Sequence, residues 1–177
     1  LGLIMSTSAD TEQYTGLILL SGVDKPGITA SLFEVLAPFS ITIVDIEQVV
    51  IKDRLILTVL ITLNPAHEDA IAADLETCAA SLDVDIASLF SYADKSTLNI
   101  KTDLVRVSLS CVKILPKAIE ELADVIHQNG ANIESVTRLS SNPVTTIEFV
   151  ISGAKKEALK QALSPIASSN GAEITVQ

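Results

Sequence analysis

Tryptophan is missing from this 177-residue chain, and the other aromatics are few: four Phe and two Tyr. With a single Met as well, any core must be built from Ile, Leu, Val and Ala. Only two cysteines occur, Cys78 and Cys111, each inside an apolar pattern. Buried free thiols are expected there rather than a disulfide, which points to a reducing cytoplasm. His67 and His127 have no second His or Cys at ligand spacing, so no structural metal is expected. No apolar run approaches the ~20 residues of a membrane-spanning helix. Residues 1–5 are apolar but too short for a signal core and lack a basic leader, and residues 6–13 are polar and expected to fray. Basic residues are outnumbered 12 to 22, for a net charge of -10. That excludes the basic stripe a nucleic-acid surface needs, disfavours anionic membranes and keeps the protein soluble. There is no Ser-His-Asp or Cys-His set, no phosphate loop and no metal cluster, so no enzyme complete within these residues is expected.

What is present is a duplicated unit. Apolar residues make up 48% and charged residues 19%, the balance of a globular protein with a substantial core. A shift of 90 residues lays Pro26 on Pro116, Leu32 on Leu122, Leu36 on Ile126 and Ile43 on Ile133. The same shift lays Leu57, Val59 and Ile61 on Ile147, Phe149 and Ile151, with no gap. In the first copy a strand is expected at 14–21. Ile28, Leu32, Val35, Leu36 and Phe39 recur at helical spacing. A β-branched run at 41–51 leads through Lys52-Asp53 into Leu55, Leu57, Val59, Ile61 and Leu63, which alternate as in a half-buried strand. A second helix is expected from Ile71, Leu75, Cys78 and Leu82, and a last strand at 84–92. The second copy repeats the order, with strands at 103–110, 133–139, 144–151 and 173–176 and helices over Leu115 to Ile126 and Leu159 to Ile166. Two βαββαβ units follow, at 13–93 and 103–177 with a linker at 94–102. Each is a ferredoxin-like α+β fold with an antiparallel sheet and helices on one face. Units this small tend to cover their sheet edges by pairing, so the copies are expected to associate and the chain to form a homodimer.

The turn Gly22-Val23-Asp24-Lys25-Pro26-Gly27, between the first strand and Ile28, concentrates the functional signal. The start of a helix leaves backbone N–H groups aimed outward. Gly22 and Gly27 allow close backbone approach, and Pro26 suits the first helical turn. Asp24 is open to two readings: it caps the helix, or it faces the ammonium of a small zwitterion.

This loop resembles the ligand loop of ACT domains, small βαββαβ modules that bind amino acids at domain interfaces. The resemblance covers both copies. Leu32-Phe33-Glu34-Val35-Leu36, Val44-Asp45-Ile46-Glu47-Gln48-Val49-Val50-Ile51 and Arg54-Leu55 are similar to the first ACT domain of long, actinobacterial-type phosphoserine phosphatases. Arg138-Leu139-Ser140 with Pro143-Val144 is similar to their second. In that family a haloacid-dehalogenase-type domain follows, with an Asp-x-Asp nucleophile strand and Mg. Asp83-x-Asp85 has that spacing but lies ahead of its strand, so no catalytic residue and no cofactor are expected within these residues. The resemblance implies the regulatory part of a phosphatase, with the catalytic domain in cis. The alternatives are a freestanding tandem-ACT regulator, similar to the glycine cleavage repressor accessory protein and acting on a protein partner, or a purely architectural pair.

Serine-binding ACT domains, such as that of phosphoglycerate dehydrogenase, pair a polar loop residue before Arg/Lys-Pro-Gly with an Asn from a neighbouring domain's Gly-x-Asn-Ile. Here those positions are Asp24 and Asn132, the latter in Gly130-Ala131-Asn132-Ile133. They lie on different copies: at the 90-residue shift Asn132 falls on Thr42 and Asp24 on Ile114. The resemblance therefore implies one hybrid site built from Gly22, Asp24, Lys25, Pro26, Gly27, Ile28 and Asn132, for serine or glycine. A reciprocal site at 111–117 with Thr42 is expected to be weak or empty. A plainer reading of Asn132 is a hydrogen bond to the turn after Gly130.

Overall fold

The computed structural model describes residues 11–177. Residues 1–5, expected to be too short for a signal core, lie outside that range, as do 6–10 of the stretch expected to fray. Glu12 and Gln13 belong to the first strand. The chain divides into two compact units between Asn99 and Ile100, and each is described by itself. No helix among the described residues is long and apolar enough to cross a membrane.

The first unit runs β1 (Glu12–Val23), α1 (Ile28–Leu36), β2 (Thr42–Ile51), β3 (Arg54–Thr62), α2 (Glu68–Leu82) and β4 (Asp85–Asp94). The second runs β5 (Leu104–Cys111), α3 (Pro116–Gln128), β6 (Asn132–Ser140), β7 (Thr145–Ser152), α4 (Lys156–Asn170) and β8 (Glu173–Val176). The antiparallel sheets have the orders β2-β3-β1-β4 and β6-β7-β5-β8. These are the expected ferredoxin-like units.

Burial follows the sequence periods. In β3 the alternating Leu55, Leu57, Val59 and Ile61 are buried. They meet Leu32 and Leu36 of α1 and Ile71 and Leu75 of α2 in one core. Leu122, Ile126, Leu159 and Leu163 close over Val107, Leu109, Phe149 and Ile151 in the other. Both helices of a unit thus lie on the same sheet face. Helix α1 ends at Leu36, before Pro38, so Phe39 packs against the core from the following loop. Cys78 is a buried free thiol; Cys111 is also free but only half-buried.

The opposite sheet faces differ. In the first unit Leu19, Ile56 and Leu89 stand exposed. In the second the comparable face is polar, with an Arg106–Glu148 ion pair at 2.8 Å and a Ser110–Thr146 hydrogen bond at 2.8 Å.

The ladders correct the gap-free repeat. The 90-residue shift holds for β3 and β7, where Leu57 and Ile147 face Leu20 and Leu109 respectively. Leu20 and Leu109 are themselves 89 residues apart. Their partners on the next strands, Ile86 and Ile174, are 88 apart. The second copy therefore has one residue more in the loop after its first strand and is shorter further on. Gly22 corresponds to Cys111 rather than Val112.

Gly22 also has a packing role. A Cβ built there would stand 2.6 Å from Val84 Cγ1 and 3.4 Å from Val84 Cα. Its smallness serves the join between α2 and β4. Gly22→Ala should destabilise the first unit by about 1–3 kcal/mol, because strand and loop must move apart. Urea unfolding would measure it, and unchanged stability would mean that the close approach relaxes without cost.

Candidate ligand site

The loop after β1 is shaped by Pro26-Gly27. Gly27 has φ +94° and ψ -9°. This is the left-handed second central position of a type II turn, with Pro26 at the first. Nothing lies within 4 Å of a Cβ built on Gly27, so the backbone angle, not space, calls for glycine there. Pro26 thus precedes the helix instead of forming its first turn. Gly27 is the N-cap, its carbonyl accepts from Ser31 N at 2.9 Å, and no side chain caps α1. The capping reading of Asp24 is corrected accordingly. Asp24 N donates to Asp53 O at 2.7 Å, which pins the loop to the β2–β3 turn. Its carboxylate is exposed and has no hydrogen-bond partner among the described residues. Thr29 Oγ1 donates to Gln48 Oε1 at 2.7 Å and ties the helix start to β2. The first N–H groups of α1 have no intrahelical acceptor.

The second loop is built differently. Helix α3 starts at Pro116 itself, with extended Leu115 as its N-cap. Lys117 occupies the place of Gly27, and the positive-φ turn is absent. The two helix starts therefore present their N–H groups in different frames.

Asn132 opens β6 opposite Ser152. It does not bond to the turn after Gly130, contrary to the plainer reading. Its Nδ2 donates to Glu134 Oε1 at 3.0 Å. The same oxygen accepts from Lys101 Nζ at 2.6 Å and from Ser152 Oγ. The Lys101 ammonium above all, then the Ser152 hydroxyl and Asn132 amide, holds the Glu134 carboxyl down to about 2. Glu134 escaped the sequence reading. The signal available was Asn-x-Glu at a strand start, but its partners Lys101 and Ser152 come from other segments.

A depressed carboxyl contributes stability above its ordinary value of 4.5 and loses that contribution as pH falls toward about 2. The stability gap between the wild type and Glu134→Gln should therefore narrow across that window. Urea unfolding at stepped pH would follow it; parallel profiles would contradict the hydrogen-bonded carboxylate.

Within a unit, the loop and the second-strand start lie at opposite ends of the sheet. Gly22 pairs with Leu55, while Thr42 pairs with Thr62, seven residues along the same strand. At ~3.3 Å per residue that is roughly 23 Å. The second unit repeats this, with Cys111 on Thr145 and Asn132 on Ser152. No unit can bring its own loop to its own Asn or Thr. Among the described residues no cluster of His, Cys, Asp or Glu could hold a metal ion.

Comparison with known proteins agrees with this architecture. Residues 15–88 match one ACT domain model and residues 106–177 match another. The chain is 35% identical over 173 residues to a phosphoserine phosphatase of Streptomyces coelicolor, covering 97% of this chain and 42% of that protein. It is 30% identical over 138 residues to phosphoserine phosphatase SerB2 of Mycobacterium tuberculosis, covering 77% of this chain and 33% of that protein. The chain thus spans less than half the length of these curated relatives. Among solved structures, a protein of unknown function from Galdieria sulphuraria aligns with TM-score 0.70 at 16% identity, covering 94% of this chain and 98% of that one. A structure described as a glycine cleavage system transcriptional repressor aligns with TM-score 0.72 at 15% identity, covering 94% and 96%. Likeness at that identity is one of fold.

Proposed function

Because this chain belongs to the ACT-domain family, as a tandem pair, we propose that it is the amino-acid-sensing regulatory part of a cytoplasmic phosphoserine phosphatase. L-serine is its effector, and glycine is the nearest alternative ligand. The names of the two curated relatives support the parent enzyme. The observation that carries the site is the ~23 Å between loop and strand start within each unit. A site that uses both needs two units.

The chemistry is that of a zwitterion. The uncapped N–H groups at Ile28 and Thr29, shaped by Pro26-Gly27, take the carboxylate. The Asp24 carboxylate and the Asn132 carboxamide oxygen take the ammonium. Gly22 and Lys25 belong to the loop frame. The reciprocal combination, residues 111–117 with Thr42, lacks the acid, the positive-φ glycine and the carboxamide, and is weak or empty. Binding regulates the catalytic domain, in cis, only through different affinity for two arrangements of the units. A homodimer supplies a second copy of each half-site.

A thermal-shift screen against the common amino acids tests the reading. L-serine is expected to raise the melting temperature most. No shift with any amino acid would contradict a sensor and favour an architectural pair. The freestanding regulator is separated by the gene beyond the codon for Gln177: an Asp-x-Asp strand supports the phosphatase, and a stop supports the freestanding protein.

A further inference from the structure

We propose that Glu134 is the positioning residue of the amino-acid site: it turns the Asn132 carboxamide so that nitrogen faces inward and oxygen outward, which makes this half of the site a receiver of ammonium. The inference rests on the amino-acid reading above and deepens it by assigning the polarity of recognition.

A carboxamide has one accepting end and one donating end, and its shape does not choose between them. Its neighbours choose. Glu134 Oε1 lies 3.0 Å from Asn132 Nδ2. An ionised carboxylate only accepts, so the amide nitrogen must face it. The carboxamide oxygen is left with no partner among the described residues. The Glu134 charge is itself paired with Lys101, and the outward carboxamide oxygen, the negative end of the amide dipole, favours an ammonium over a ligand carboxylate.

The backbone brings the two side chains together. Ile133 pairs with Ile151 and Ser135 with Val150, so Glu134 is the extra residue of a β-bulge. A bulge frees a side chain from strict alternation and re-aims it. Lys101 and Ser152, the cross-strand partner of Asn132, then fix the Glu134 oxygen from two further sides. The first unit has the same bulge, between Ile43 and Asp45, but its residues are Thr42, Val44 and Thr62. It has the backbone of the device without its chemistry. The oriented carboxamide therefore exists only in the second unit.

Calorimetry with L-serine on the whole chain tests this with four proteins, each checked as folded by circular dichroism. They are the wild type, Asn132→Ala, Glu134→Gln, and the double variant Asn132→Asp with Glu134→Gln. Glutamine can donate as well as accept, so in Glu134→Gln the carboxamide loses its fixed sense, and affinity should fall roughly tenfold. Aspartate offers an acceptor whichever way it turns, so the double variant should recover most of that loss. A role limited to supporting the strand gives no such recovery. Wild-type affinity in Glu134→Gln alongside a loss in Asn132→Ala would overturn the positioning role and leave the amino-acid site standing. A double variant no better than Glu134→Gln would overturn it as well. No loss in Asn132→Ala, or no serine binding by the wild type, would overturn both readings together.

Discussion

Truncating Phe149 to alanine should strongly destabilise the second unit while leaving the first folded. Phe149 is 1% exposed and is the largest of the fully buried side chains. It stands in β7 opposite Val107, in the core closed by Leu122, Ile126, Leu159 and Leu163. Removing a buried phenyl ring costs about 3–5 kcal/mol in lost transfer energy and cavity. A unit running Ile100–Gln177 holds about 4–12 kcal/mol at the usual stability per residue, so the loss takes from about a quarter to all of the total. Phe149 is the sole Phe, Tyr or Trp between residues 100 and 177, so no aromatic neighbour stands ready to fill the gap. The first unit has its own core around Leu32, Leu57 and Ile71 and should keep its protection. Hydrogen exchange read by mass spectrometry separates the two. Equal loss of protection in both units would mean that they fold as one.

Replacing Asp24 by alanine should cut L-serine affinity by roughly ten- to a hundredfold, the loss of one charge-assisted hydrogen bond to an ammonium. The same change should leave stability within about 0.5 kcal/mol, because the carboxylate is exposed, caps no helix and has no partner among the described residues. The contrast is diagnostic. An N-cap lost to alanine costs about 1 kcal/mol and would lower the melting temperature without ligand. Calorimetry and a ligand-free melt on the same variant distinguish the two roles.

Much of this fold was legible because its periods are clean. The alternation from Leu55 to Ile61 and the helical stripe of Leu32 and Leu36 fall on buried positions. The slip between the copies was not legible, for a physical reason. Strand β5 alternates as Val105, Arg106, Val107, Ser108, Leu109, which declares its faces. Strand β1 reads Leu17, Ile18, Leu19, Leu20, apolar on both faces, so its phase is hidden and a one-residue offset passes unseen. Helix α4 also runs through Pro165, which lacks the N–H to continue the ladder; buried Leu163 and Ile166 on either side hold the turn to the core.

The candidate site was legible only where its residues are close in sequence. Pro26-Gly27 before an apolar helix announces its turn, but that Gly27 rather than Asp24 ends up as the N-cap depends on its left-handed angle. Glu134 depends on a bulge and on Ser152 across the strand, and neither can be read before the register is known.

The most direct test of an inter-domain site is the stoichiometry of L-serine binding by calorimetry, on the wild type and on Asp24→Ala and Asn132→Ala. One loop and one carboxamide oxygen per chain predict one serine per chain, with affinity lost in either variant although the residues sit in different units. Two serines per chain, or undiminished affinity in either variant, would contradict it.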